Sequence, residues 1–401
     1  MKKHNATTCD VLVIGGGLMG CAAAYELSKR GLRVVVSEKN SAPGSETTAR
    51  SGAIIRAHYG VPQLVSLSLE ANRRYANFHK TTGHDVGWTN CGYAVLVDEA
   101  DVPTLEANVA MHRKLGVNVE ILAPSEIRKM ATALRTHDAA LACYEPDGGY
   151  ANPAQTVNAF AQMATKHGAD FRFNAPVVAA KKSGANWQIS LSSGDKISTP
   201  QVVICTGNWS NHVGQMFGLQ LPVVPVRAQI VVMERPNSFV GSFPVISDLI
   251  NLAYFREDGG DGMWVGSSDM SDLGEQLLAP EGFNEQADTS AIEAARRKTA
   301  LRFEGFDASD EDGVQRAFCG LYETTPDWQP IVDSFGNVHI AVGFSGHGFK
   351  LAPVVGEEIA ARVMDDTSST RSEWKVFDLA RFAENRHLKS EHVYQRAKFL
   401  R

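Results

Sequence analysis

Asp10-Val-Leu-Val-Ile-Gly-Gly-Gly-Leu-Met-Gly20 leads into an alanine-rich stretch, Cys21 to Arg30, and then into Arg33-Val-Val-Val-Ser37 with Glu38 at its end. Apolar residues running into glycines predict a buried strand and a tight turn. The alanine-rich stretch predicts a short amphipathic helix that Gly31 stops, and the second apolar run predicts another strand. In such a βαβ unit Gly15 allows the tight turn, Gly17 lets backbone N–H groups approach a pyrophosphate, and Gly20 lets helix and strand pack closely. Glu38 then stands where an acid accepts hydrogen bonds from a ribose diol. A lone glycine pattern is weak, but strand, glycines, helix and acid within about 30 residues read as a dinucleotide-binding unit. The motif alone serves nicotinamide and flavin enzymes alike.

Composition removes several function classes. The 401 residues are 44% hydrophobic and 21% charged, the balance of a globular enzyme with room for two cores. A net charge of -6 gives no basic footprint for nucleic acid. No apolar run reaches the roughly 18 residues of a membrane helix. The leader Met1 to Thr8 is basic without an apolar centre, so a secretory signal is not expected and a cytoplasmic location is. Cys9, Cys21, Cys91, Cys143, Cys205 and Cys319 are scattered without CxxC pairs, which fits a reducing compartment and gives no expectation of a metal site.

Further along, Ser41 to Gly52 is small and hydroxylated, suited to wrapping a polar ligand or to a solvated loop. Val61 to Phe78 has helical spacing. Trp88 to Val97 and Glu120 to Met130 depart from the opening pattern and suggest a second domain. A helix at Pro153 to His167 and strands near Ala169 to Phe173, Pro176 to Ala180, Trp187 to Leu191 and Val202 to Gly207 return to the first. Leu221 to Glu234 and Leu252 to Val265 alternate like a half-buried antiparallel sheet, turning at Asp258 to Gly262. Glu281 to Phe303 reads as helix, Asp307 to Gly313 as an acidic loop, Val338 to Val342 as a last strand and Pro353 to Met364 as a last helix. The expectation is an α/β fold with interleaved domains: 1–85, 150–215 and 328–401 bind the dinucleotide, while 86–149 and 216–327 form an α+β substrate domain on a mixed or antiparallel sheet.

Three more segments sharpen this: Val202-Val-Ile-Cys-Thr-Gly207-Asn-Trp209, Cys319-Gly-Leu-Tyr-Glu-Thr-Thr-Pro-Asp327 and Gly343-Phe-Ser-Gly-His-Gly-Phe-Lys350. With GGGLMG, GLYETTPD and GFSGHGFK in this order, Asp10 to about Val363 resembles the FAD-dependent amine oxidoreductases of the D-amino-acid oxidase (DAO) superfamily, which include the sarcosine oxidase β subunit and dimethylglycine dehydrogenase. The resemblance implies a glutathione-reductase-type FAD-binding Rossmann domain beside a substrate domain. It implies oxidation of a small secondary (N-alkyl) or primary amino acid to an imine that water hydrolyses. The FAD contacts it implies are Gly15, Gly17, Leu18, Met19, Gly20, Glu38 and Lys39, then Ser45, Thr47, Thr48, Arg50, Ser51 and Gly52. Val177, Thr206, Gly207, Trp209 and Gly320 follow, with Gly343, Gly346, His347, Gly348, Phe349 and Lys350.

A substrate carboxylate in a dry site needs fixed positive charge. Arg56 matches a carboxylate-binding arginine of sarcosine-oxidase-like proteins and Lys350 their second carboxylate contact; as surface residues both would be cations on snorkelling stems. Tyr254 and Tyr322 align with pocket tyrosines, or are core aromatics. His58 and His347 invite an acid–base role, although the resemblance makes His347 part of the glycine loop. An obligatory base is not required if a neutral amine gives its hydride directly to the flavin.

Departures from the family matter as well. Trp264 stands where monomeric sarcosine-oxidase-like enzymes place an oxygen-activating lysine, which implies a dehydrogenase with weak oxygen reactivity. The covalent flavin cysteine of those enzymes falls on Gly320, and histidines that carry flavin elsewhere in the family are unmatched, so non-covalent FAD is expected. Rival expectations are the catalytic β-type subunit of a multisubunit opine, proline or sarcosine dehydrogenase with an electron-accepting partner chain, an oxidase using oxygen, a flavoprotein assembly module with structural FAD, and an NAD-dependent dehydrogenase.

Overall fold

A computed structural model describes residues 6–236, 239, 241–310 and 313–396; residues 1–5 of the basic leader and Glu311-Asp312 of the acidic segment lie outside this range. Strand Val11–Ile14, buried along its whole length, runs into Gly15; helix Leu18–Lys29 follows and Val34–Ser37 returns parallel to the first strand. Unbroken apolar runs of this kind belong to strands covered on both faces. Gln201–Ile204 and Val338–Val342 continue the sheet in parallel on one side and Asp170–Arg172 on the other, while Ile331–Phe335 closes it antiparallel, making six strands. Helices Pro153–Lys166 and Gly348–Val363 pack against Leu18–Lys29.

A second sheet of eight strands lies across the C-terminal ends of those parallel strands. Its order is Val314–Thr324, Val224–Glu234, Gly262–Ser267, Ala253–Glu257, Val245–Asp248, Tyr93–Val97, Leu141–Glu145, Glu120–Leu122. All neighbours are antiparallel except Val245–Asp248 and Tyr93–Val97. The sheet is therefore mixed.

Several sequence expectations need correction. Ala6–Thr8, read as leader, is an edge strand parallel to Lys196–Thr199 in a small four-stranded sheet. The helix expected from Glu281 begins only at Thr289, because the Asn284 side chain accepts the Gln286 N–H at 3.0 Å and holds a local turn instead. Helix Val102–Lys114 was not anticipated: its buried face includes Asn108 and His112, which hides the apolar period. The last helix starts at Gly348, five residues before Pro353, so that Lys350 lies in its first turn. Pro353 has no N–H for the Phe349 carbonyl; the Tyr75 hydroxyl donates there instead, at 2.8 Å. No described helix is long and apolar enough to cross a membrane.

Asp327, which ends the GLYETTPD segment, ties the C-terminal region to the core. Its carboxylate takes Arg381 Nε at 2.8 Å and Nη2 at 3.0 Å, both side chains being buried. Burial alone would raise the Asp327 pKa, but Arg381 outweighs it and brings it below the ordinary value. Stability from this pair is accordingly present above the unfolded carboxylate pKa, about 4, and is lost as pH falls through the lowered folded value. Asp327→Ala strands the Arg381 charge, and urea unfolding followed by tryptophan fluorescence is expected to show a loss of about 3–5 kcal/mol. Adding Arg381→Met is expected to recover part of that loss.

Candidate functional site

One cavity of about 540 Å³ runs between the two sheets. At one end lie Glu38 and Val177, its middle passes Gly15, Gly17, Thr206 and Gly207, and Arg56, Tyr254, Tyr322 and Lys350 close the other end. Ligands of open parallel sheets sit at the carboxyl ends of the strands, where the fold leaves a crevice.

The crevice depends on missing side chains. Gly15 has φ +104°, and a Cβ there would overlap the Cys205 carbonyl; a Cβ on Gly20 would overlap the Gly15 carbonyl. Gly20 therefore packs behind the turn and does not line the cavity. The start of helix Leu18–Lys29 has no acidic residue in its first turn and presents Gly17 and Leu18 to the cavity. Such an N-terminus favours an anion.

Glu38 lines the cavity, and it also braces the turn: Oε2 accepts the Gly16 N–H at 2.6 Å and Oε1 the Asn40 N–H at 2.8 Å. Each carboxylate oxygen keeps a second lone pair. Of the polar segment, Ser45, Thr47, Thr48, Arg50, Ser51 and Gly52 all face the cavity. Their hydroxyls are also engaged locally, Thr48 Oγ1 accepting the Leu18 N–H at 3.2 Å and Thr47 Oγ1 donating to the Leu321 carbonyl at 3.3 Å. Lys39 stacks over Trp209 at 3.6 Å and binds Glu46, while Arg50 pairs with Glu285 at 2.7 Å. Met19, Gly320, Gly346, His347, Gly348 and Phe349 line the cavity too; Gly343 stands behind it against Thr325.

At the far end Arg56 is buried with its guanidinium 4.1 Å from the Tyr59 ring and 5.3 Å from that of Tyr93, and it donates to the His58 carbonyl. Lys350 Nζ lies 5.4 Å from the same Tyr59 ring and 3.4 Å from the His347 carbonyl. Neither cation forms a salt bridge with a carboxylate among the described residues. Burial lowers the Lys350 pKa, and Arg56 adds to the effect. Burial would raise the Tyr59 phenol, yet Arg56 and Lys350 outweigh it and bring it below its ordinary value. Burial, with Lys350 and Arg56 behind it, holds His347 well below the usual imidazole range, which leaves it neutral. Tyr254 and Tyr322 are raised chiefly by burial and stay protonated. The Tyr254 ring occupies the space where a Cβ on Gly266 would stand, a strand position that admits none.

His58 lies behind this end and does not line the cavity. Its Nε2 meets the Tyr394 hydroxyl at 2.8 Å, His112 Nε2 meets the Tyr59 carbonyl at 2.8 Å, and Glu145 Oε2 accepts the Ala57 N–H at 2.9 Å. One donor atom from each of His58, His112 and Glu145 lies within 4.8 Å of the others. Burial, with a contribution from positive Arg56, depresses both imidazoles, His112 to about 4. The same field opposes a divalent cation, and the cluster serves as a brace for the Arg56 loop.

Trp264 differs from its expected place. It is buried against Phe318 and beside Gly52, one layer behind the lining, with Arg256 4.5 Å from its ring. Sequence reasoning also passed over Tyr59, Tyr93, Ser247 and Glu323, all of which border the far end or middle of the site. Tyr59, three residues after Arg56, and Glu323, inside the GLYETTPD segment, carried a signal.

Residues 10–362 match the family described as FAD dependent oxidoreductase, DAO. Monomeric sarcosine oxidase of Streptomyces avermitilis is 28% identical over 393 residues, spanning 94% of this chain and 98% of that protein. Human mitochondrial sarcosine dehydrogenase is 25% identical over 373 residues, 88% of this chain but 39% of the larger protein. Among solved structures, L-proline dehydrogenase from P. horikoshii superposes with a TM-score of 0.85 at 25% identity, over 96% of this chain and 100% of that one. The cavity suits FAD on its own evidence: an anion-favouring helix start at mid-length, an acid at one end, and a glycine-lined passage between them. The chain belongs to the DAO family of FAD-dependent oxidoreductases, and FAD is its cofactor.

Proposed function

We propose that the chain oxidises the C–N bond of a small amino acid, secondary (N-alkyl) or primary, to an imine that water then hydrolyses. The observation that carries this reading is the pair of buried cations, Arg56 and Lys350, at the closed end of the cavity. Buried charge without an ion-paired carboxylate is costly, so its presence calls for an anion from outside. A carboxylate satisfies both residues, and Arg56 presents a planar fork suited to it. The relatives point the same way, since their names cite sarcosine, dimethylglycine and L-proline.

Bound FAD supplies the two-electron acceptor. In the same reading, Arg56 and Lys350 anchor the carboxylate and thereby orient the amine-bearing carbon, which is where most of the rate gain from positioning arises. Protonated Tyr254 and Tyr322 close the pocket around the amine with hydroxyl dipoles, and neutral His347 adds no competing charge. The FAD contacts are those that line the cavity, held without a covalent bond: by the family resemblance a tethering cysteine would fall on Gly320, which has no thiol, and Cys319 is buried on the opposite face of its strand.

A dehydrogenase that reacts slowly with oxygen is the favoured outcome, with an electron-accepting partner chain as the alternative. Apart from the carboxylate anchors, the described lysines and arginines lining the cavity are Lys39 and Arg50, both already paired with acids. Arg256 is shielded by Trp264 and neutralised by Asp258 at 3.2 Å. Little free positive charge is left to stabilise a nascent superoxide. A cytoplasmic location fits six cysteines that are all free.

An anaerobic panel of small primary and secondary amino acids is expected to bleach the flavin with at least one member; no reduction by any of them would sink the enzyme reading in favour of a structural FAD. Arg56→Met is expected to lower kcat/KM for flavin reduction about 10- to 100-fold, the loss of a charged hydrogen bond of roughly 1.5–3 kcal/mol, with flavin content retained. Mixing the reduced protein with aerated buffer in a stopped-flow instrument should give reoxidation slower than substrate reduction. Reoxidation as fast as reduction would identify an oxidase.

A further inference from the structure

Glu323 lines the cavity where it passes the strand ends and the glycine loop, away from the Arg56 and Lys350 end. It belongs to strand Val314–Thr324, yet it reaches to the carboxyl ends of Gln201–Ile204 and Val338–Val342, opposite the Gly15 turn. Its Oε2 is 3.7 Å from where a Cβ on Gly207 would stand, has negligible solvent exposure and has no hydrogen-bond partner. The backbone amides of Gly343 and Phe344 face the carboxyl from the glycine loop. From the other elements around it, Cys205 offers a neutral, buried thiol, the short helix Gly207–Trp209 carries no titratable side chain, and Pro225 lies across the strand. No lysine or arginine forms a salt bridge with it among the described residues.

We propose that Glu323 is a cofactor-positioning residue, a protonated carboxyl that donates a hydrogen bond to an oxygen on the ribityl–diphosphate section of FAD. An ionised carboxylate beside a diphosphate, without a cation between them, would repel it in a medium of low dielectric. The neutral acid instead supplies a donor for an oxygen, and burial, outweighing the Phe344 and Gly343 amides that favour the ionised form, has already raised the Glu323 pKa to about 7 before any cofactor charge is added. Bound anion raises it further, so FAD binding takes up a proton above neutral pH, and affinity falls as pH rises through the value of the free site. The inference rests on FAD as cofactor and not on the identity of the substrate.

Two readouts on the holoenzyme test this, neither depending on turnover. Dilute holoenzyme releases FAD, read by the gain of free-flavin fluorescence, and the dissociation constant should rise roughly tenfold or more between pH 6.5 and 8.5. Glu323→Gln keeps a donor of similar shape without a titrating group; its affinity should resemble that of the unaltered protein at pH 6.5 and stay level to pH 8.5. Infrared difference spectra of the unaltered holoenzyme minus Glu323→Gln should show a protonated-carboxyl band persisting at pH 8.5; the subtraction removes the contribution of Glu145, a second buried acid whose pKa burial raises to about 7. The proposal is overturned if that band is absent, if FAD affinity is level with pH in the unaltered protein, or if the Gln variant keeps the pH dependence. The infrared readout decides the matter even if FAD is not released.

Discussion

Contact between main chains at Gly15, Gly20 and Cys205 comes before everything else in this protein. With no Cβ at either glycine, the helix Leu18–Lys29 lies directly on the turn, and the turn lies on the end of the neighbouring strand. The consequence is geometric: backbone N–H groups at the helix start open onto a crevice rather than onto side chains, and the eight-stranded sheet can roof that crevice. A methyl group at either glycine would push these layers apart. The grip on the cofactor and the placing of the reaction chamber beyond it both follow from that close approach.

The other end of the cavity follows a different physical logic. Arg56 and Lys350 are both buried at this end; burial first, and positive Arg56 after it, lower the Lys350 pKa. Aromatic faces at Tyr59 and Tyr93 and carbonyls at His58 and His347 hold them without neutralising them. Such an arrangement gives up stability in the empty protein in exchange for anion affinity. Fully paired buried charges elsewhere, Asp327 with Arg381 and Asp248 with Arg302, show the contrasting structural use of the same residue types.

Legibility in the sequence varied with how local the cause was. The opening βαβ unit, the Asp258 to Gly262 turn and the strands of the parallel sheet were legible because periodicity and glycine placement are short-range signals. The start of the last helix was not, since Pro353 looks like a boundary until Tyr75, far away in sequence, is seen to cap the carbonyl it leaves free. Helix Val102–Lys114 escaped because polar Asn108 and His112 are buried by contacts with other elements. Trp264 was placed over the flavin by resemblance; in the fold Gly52 and Phe318 hold it one layer back.

What the sequence determined by itself is the dinucleotide grip, the glycine loop ending in Lys350 and the presence of Arg56, because those depend on backbone permissiveness and residue chemistry within a few positions. Tertiary structure alone decided that Arg56 and Lys350 share one recess, that Tyr59 separates them, and that Glu323 points into the cofactor passage. These are juxtapositions of segments up to several hundred residues apart. No local pattern encodes them, since they arise only when two sheets are laid across one another and the space between them is closed.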